Sequence, residues 1–135
     1  MTETRTDDVA AIKGVLADLY QAWDAGDAEG FVRDYTEDAT VIMPGTYRKS
    51  REEVRQGMAD SFASFLKGST TVNSMEGIRF LGENAAIAVS ESGILFPGQT
   101  EVPAEGMVYA TWVLEKRDGR WLVAAYHNSP AVLPG

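Results

Sequence analysis

Residues 106–129 read Gly106-MVYATWVLEKRDGRWLVAAYHN-Ser129. Two runs rich in Val, Tyr, Trp, Thr and Leu flank Arg117-Asp118-Gly119-Arg120, and an Asp-Gly step between β-prone runs is a strong signal for a tight hairpin. A two-residue Asp118-Gly119 loop sets Lys116 opposite Trp121. In an unbroken register it gathers Ala110, Trp112 and Leu114 with Val123, Ala125 and His127 on one face, leaving Tyr109, Thr111, Tyr126 and Asn128 on the other. Both faces carry large apolar groups, so the hairpin is expected in the middle of its sheet, covered on both sides. A bulge would exchange the faces.

Upstream of the hairpin, Val9, Ile12, Leu16, Leu19, Tyr20 and Trp23 have helical spacing, with Thr6 or Asp7 as cap and Gly26 as stop. Asp27 can cap a second, shorter helix carrying Phe31 and Tyr35 on one face. Thr40-Val41-Ile42-Met43 reads as a short strand closed by Pro44-Gly45. Ser50-Arg51-Glu52-Glu53 has the form of a capping box, and the third helix it opens is predicted to run to Gly68 with Val54, Met58, Phe62, Phe65 and Leu66 inward. The β-prone runs Thr70–Leu81 and Ala85–Phe96 then lead into the hairpin, separated by Gly82-Glu83-Asn84 and Pro97-Gly98-Gln99. This order predicts an α+β fold, a curved antiparallel sheet wrapped around three N-terminal helices, with a small-molecule pocket at the mouth of the cone.

At 135 residues the chain is expected to form a single domain, 1–135, with a core that needs no disulfide or metal. It has no cysteine, which excludes thiol catalysis and Cys-ligated metal. The net charge of -8 repels nucleic acid and anionic lipid, and the basic clusters Arg48-Lys49-Ser50-Arg51 and Lys116-Arg117 are too small to offset it. The polar, acidic N-terminus lacks the pattern of a signal peptide, and no apolar run has the ~20 residues of a membrane span. No nucleic-acid or membrane partner is expected, and the location expected is cytoplasmic.

Three motifs resemble a known family. Trp23-Asp24-Ala25-Gly26-Asp27 ends the first helix, Tyr35-Thr36-Glu37-Asp38-Ala39-Thr40 leads to a strand and Pro44, and Asp118-Gly119-Arg120-Trp121 precedes a last strand ending in His127. In that order they resemble the SnoaL-like branch of the nuclear transport factor 2-like (NTF2-like) superfamily. The ending Trp121-Leu122-Val123-Ala124-Ala125-Tyr126-His127-Asn128 is similar to the SgcJ/EcaC group, found in enediyne polyketide biosynthesis. The resemblance implies a homodimer and a hydrophobic polyketide-derived ligand. It also implies cofactor-free cyclisation, isomerisation or dehydration; the alternatives are a non-catalytic carrier or resistance protein, or a dimerisation scaffold. Family functions vary, so chemistry must be read from the residues. In a gapless match, Met43 stands where ketosteroid isomerases have their aspartate base, and Leu19 where they have an oxyanion-binding tyrosine, with Tyr20 about 100° round the helix. The Asp-Arg-Asp set of the family's epoxide hydrolases is matched only loosely by Arg33, Arg79 and Glu91, which nothing in the sequence brings together.

His127, the only histidine, is the candidate proton carrier. Tyr20, Trp23, Tyr35, Met43, Phe62, Trp112, Tyr126 and Asn128 are the candidate ligand wall, Met supplying adaptable packing and Tyr or Trp a polar tip. In a regular strand only one of His127 and Asn128 can face the pocket. Glu91, between Ser90 and Ser92, is either a base with a raised pKa in an apolar cone or a solvated surface group. One histidine without a carboxylate at ligand spacing is a poor metal set, so no metal is expected.

Overall fold

A computed structural model describes residues 5–133. Its elements are α1 (Thr6–Asp24), α2 (Ala28–Phe31), β1 (Tyr35–Met43), β2 (Thr46–Arg48), α3 (Arg51–Phe62), β3 (Thr70–Phe80), β4 (Ala85–Leu95), a 3-10 turn (Ala104–Gly106), β5 (Met107–Arg117) and β6 (Arg120–Pro130). The sheet runs β2-β1-β6-β5-β4-β3 and does not close. Its pairing is antiparallel except between β1 and β6, which run parallel. The α+β architecture is the expected one, and β5 and β6 lie centrally in the sheet.

The hairpin closes as its residues require. Asp118 (φ 52°) and Gly119 (φ 79°) both take positive φ, the signature of a type I′ turn, and Lys116 faces Trp121. The register then breaks: Leu114 pairs with Val123, but Val113 pairs with Ala125. Ala124 is the extra residue of a β-bulge on β6, and beyond it Trp112 pairs with Tyr126 and Ala110 with Asn128.

The concave face of the sheet carries small groups, Ala86, Ala88, Ser90 and Ala110, which leave room for the helices. Against them pack Ile12, Leu16 and Leu19 of α1 and Val54, Met58 and Phe62 of α3, all buried. Each such side chain contributes roughly 1.5–3 kcal/mol through its burial. The narrow end of the cone is held by Asp8, whose carboxylate accepts from Trp121 Nε1 at 3.0 Å, Lys116 Nζ at 3.1 Å and Arg5 Nε at 3.2 Å. The Trp121 bond, with Lys116 and Arg5 behind it, lowers the pKa of that carboxyl.

Several local expectations are corrected. The first helix starts from Arg5, which makes no side-chain cap bond; Thr6 and Asp7 lie inside it. Asp27 does cap the second helix, accepting from the Gly30 N–H at 3.0 Å, but that helix is a single turn. Tyr35 instead opens β1, because Tyr35-Thr36 continues a β-prone run through to Met43. Ser50 caps the third helix through the Glu53 N–H at 3.1 Å, while the Glu53 carboxylate takes the N–H of Lys49 at 2.8 Å. That helix stops at Phe62; Leu66 remains buried, but Phe65 is 70 % exposed because the chain past the helix end turns its side chain out. The hairpin's outer face is open in the single chain, with Tyr109 49 % exposed.

Candidate functional site

Antiparallel pairing brings the C-terminal ends of β4 and β6 and the N-terminal ends of β3 and β5 to one edge of the sheet, where β1 also ends. At this wide end lies a cavity of about 150 Å³. An apolar cavity of about 150 Å³ is large enough to hold a benzene ring. Its floor is Trp112 and Leu19, its sides Phe31, Val54 and Met58, and its rim Thr71, Ile94, Gly106 and Val108.

Of the wall predicted from sequence, Tyr20, Trp23, Tyr35, Met43, Trp112, Tyr126 and Asn128 all line this cavity. Phe62 does not. It packs behind the wall, edge-on to Trp23 at 5.6 Å and to Phe31 at 6.5 Å, because its position on α3 faces those rings. His127 is exposed on the outer face, beside Thr111 of β5 and Ile42 of β1. The bulge at Ala124 is the physical reason: it turns the strand by one residue, so Tyr126 and Asn128 face inward and the imidazole faces outward. Glu91 is on the outer face too, between Ser74 and Tyr109, while Ser90 and Ser92 are buried inward. Arg33 pairs with Asp18 at 3.8 Å on the surface and Arg79 is exposed, so no Asp-Arg-Asp set forms in the cavity.

The polar groups of the wall form short chains. Trp112 Nε1, which can only donate, gives its proton to Ser90 Oγ at 3.3 Å. Ser90 Oγ lies 3.3 Å from Ser92 Oγ, itself 3.1 Å from the Tyr20 hydroxyl. Trp23 Nε1 donates to Ser69 Oγ at 3.0 Å, and the Ser69 hydroxyl in turn donates to the Leu66 carbonyl at 2.7 Å. These bonds fix the rotamers of two tryptophans and a tyrosine on the wall. On β6, Asn128 Nδ2 donates to the Tyr126 hydroxyl at 2.8 Å, whereas the buried Asn128 Oδ1 has no partner among the described residues.

Burial raises the phenol pKa of Tyr20 and of Tyr35, and pushes that of Tyr126 up to about 12. The three hydroxyls are therefore neutral donors at physiological pH. Sequence reasoning missed several lining residues, Phe31, Met58 and Ser92 among them, and one that carries a charge: Arg48, at the end of β2. It was legible only as one member of a short basic cluster. Met43, in the place of the isomerase base, adds apolar surface.

The sequence pattern of the SnoaL-like domain matches residues 4–127. The chain belongs to the SnoaL-like family. Its fold is that of a cystatin-like domain from Nostoc punctiforme of unknown function, with a TM-score of 0.88 at 27 % identity over 95 % of this chain and 80 % of that one. An NTF-2-like protein of unknown function from Shewanella oneidensis superposes with a TM-score of 0.77 at 21 % identity, covering 90 % of this chain and 98 % of that one. A ketosteroid isomerase-like protein from Erwinia carotovora atroseptica gives 0.73 at 16 % identity, over 95 % and 99 %. No curated protein matches this SnoaL-like domain by sequence. Among the described residues no helix is long and apolar enough to cross a membrane.

Proposed function

We propose that this SnoaL-like protein binds a compact, ring-bearing hydrophobic molecule at the wide end of its cone and serves as a receptor or carrier for it. The observation that carries this reading is a cavity walled by Trp23, Phe31, Trp112 and three tyrosines with no histidine, aspartate or glutamate among its lining residues. Aromatic walls suit flat apolar ligands, and rotamers fixed by hydrogen bonds reduce the ordering cost of binding. Proton abstraction at neutral pH needs a base, and neutral tyrosines do not provide one. Support for a polyketide-derived ligand, within enediyne biosynthesis, comes from the resemblance of Trp121–Asn128 to the SgcJ/EcaC group. A homodimer through the outer sheet face is supported by the exposed Ile42, Tyr47, Val72 and Tyr109 there.

One observation favours cofactor-free chemistry as a second reading. Tyr126 accepts from Asn128 and so keeps its own proton, a preorganised donor to a developing oxyanion in a cyclisation or isomerisation. The two readings separate on turnover, and both require binding. Isothermal titration with neutral one-ring probes, indole and 4-ethylbenzamide, is expected to show saturable 1:1 binding that is lost in Val108→Trp, where a bulky ring fills the rim. Wild type that binds no one-ring probe, neutral or charged, or a Val108→Trp variant that binds as well, would refute the reading.

A further inference from the structure

Arg48 is the cation in an otherwise neutral wall. It makes none of the ion pairs among the described residues, in contrast to Arg5, Arg33, Arg51, Arg55, Arg117 and Arg120. Its protein hydrogen bond is a weak one, Nη1 to Met58 Sδ at 3.7 Å. Arg48 is half-buried, and a guanidinium partly withdrawn from water against apolar surface without a counter-ion loses hydration that an anionic partner would compensate.

The seat of this guanidinium is built. Gly57 lies inside α3, where glycine costs about 1 kcal/mol relative to alanine. A Cβ there would fall 2.5 Å from Arg48 Cζ, 2.6 Å from Nη2 and 2.7 Å from Nε, so the helix gives up a side chain where the guanidinium packs. Tyr126 adds an unspent O–H donor to the same cavity, and Asn128 Oδ1 an unspent buried acceptor.

Resting on the binding function proposed above, we infer that the ligand carries a carboxylate on its apolar ring, that Arg48 is its counter-ion, and that the protein is a receptor for small aromatic acids. The planar guanidinium fork matches a carboxylate bidentately, and the pocket's other donors, the tyrosine hydroxyls, are neutral, so the charge balances one to one. The ring then occupies the space between Trp112 and Met58. The chain's net charge of -8 repels acids at long range, which makes the local arginine the element that selects them.

The test titrates 4-ethylbenzoate and 4-ethylbenzamide, equal in shape and different in charge, into wild type, Arg48→Met and Gly57→Ala. Arg48→Met is expected to weaken the acid about tenfold to a hundredfold, the range for hydrogen bonds to charged groups, and to change the amide less than threefold. Gly57→Ala, which favours the helix and displaces the guanidinium, is expected to weaken the acid selectively in a fully folded protein. Equal acid affinity in wild type and Arg48→Met, or binding of the amide alone, overturns the acid inference and leaves the binding function standing. Binding of neither probe to wild type overturns both.

Discussion

Ser90 sits under the pocket floor with 2 % of its surface exposed, and its hydroxyl is the acceptor the structure gives the Trp112 indole. Ser90→Ala removes one oxygen and leaves a buried N–H without an acceptor, which costs about 1–3 kcal/mol; the middle of that range is about 2 kcal/mol. With a urea m-value of about 2 kcal/mol/M, the unfolding midpoint falls by about 1 M. If the loss comes from the stranded indole, the two substitutions are non-additive in a specific way. In a Trp112→Phe background there is no N–H to strand, and Ser90→Ala should then cost less than about 0.5 kcal/mol, a coupling of about 1.5 kcal/mol between residues in contact. The assay is urea unfolding of the four proteins followed by far-UV circular dichroism, which does not depend on the tryptophan being replaced. If Ser90→Ala costs the same in both backgrounds, the Trp112–Ser90 bond contributes nothing and the account of how the wall is fixed is wrong.

Other outcomes follow from the same geometry. His127→Ala should leave the affinity for 4-ethylbenzamide within about twofold of wild type by isothermal titration, since the imidazole lies on the outer face; a larger loss would place it in the site. Tyr126, with its pKa raised from 10.0 to about 12, contributes stability that is fully present below pH 10 and lost as pH rises through 12, so Tyr126→Phe should blunt alkaline unfolding in that window as followed by circular dichroism. Leu114→Ala, at a fully buried position beside the bulge, should cost about 2–5 kcal/mol by urea unfolding. Tyr109→Glu on the exposed outer face tests the proposed homodimer: it should shift sedimentation toward the monomer without altering probe binding, and a profile unchanged from wild type would overturn the proposal that this face dimerises.

Much of this was legible in the chain, for identifiable reasons. The Asp118-Gly119 turn needs two positive φ angles, which few residue pairs supply, so it could be read from two letters. Five of the predicted wall residues, Tyr20, Trp23, Tyr35, Trp112 and Tyr126, are legible because large aromatics at helix and strand spacing must go inward somewhere. The face of β6 was not legible, because a bulge leaves no composition signal: Val123-Ala124-Ala125 offers two alanines, and nothing local says which one the ladder skips. Tyr35 was placed on a helix because four-residue spacing from Phe31 suits one, and the two rings do touch, at 5.9 Å, but across a turn into β1. The sequence does carry a signal for the buried serines. Ala86, Ala88, Ser90 and Ser92 alternate with Ile87, Val89 and Glu91, and a concave face that must receive helices takes the small set. Arg48 is not legible this way, since the place its guanidinium takes depends on the missing Cβ of Gly57, nine residues on and in another element.

The skipped alanine of β6 bears on how relatives should be aligned. Losing one residue ordinarily turns the remainder of a strand inside out. At Ala124 it would not, since the ladder already steps from Val123 to Ala125 without a gap on the partner strand. The last strand thus holds one residue in reserve, and a relative shorter by one here keeps the same two side chains over the cavity. An alignment that moves the gap a few positions toward the C-terminus would set the relative's histidine against Tyr126 on paper, and credit the pocket with a base that the fold keeps outside.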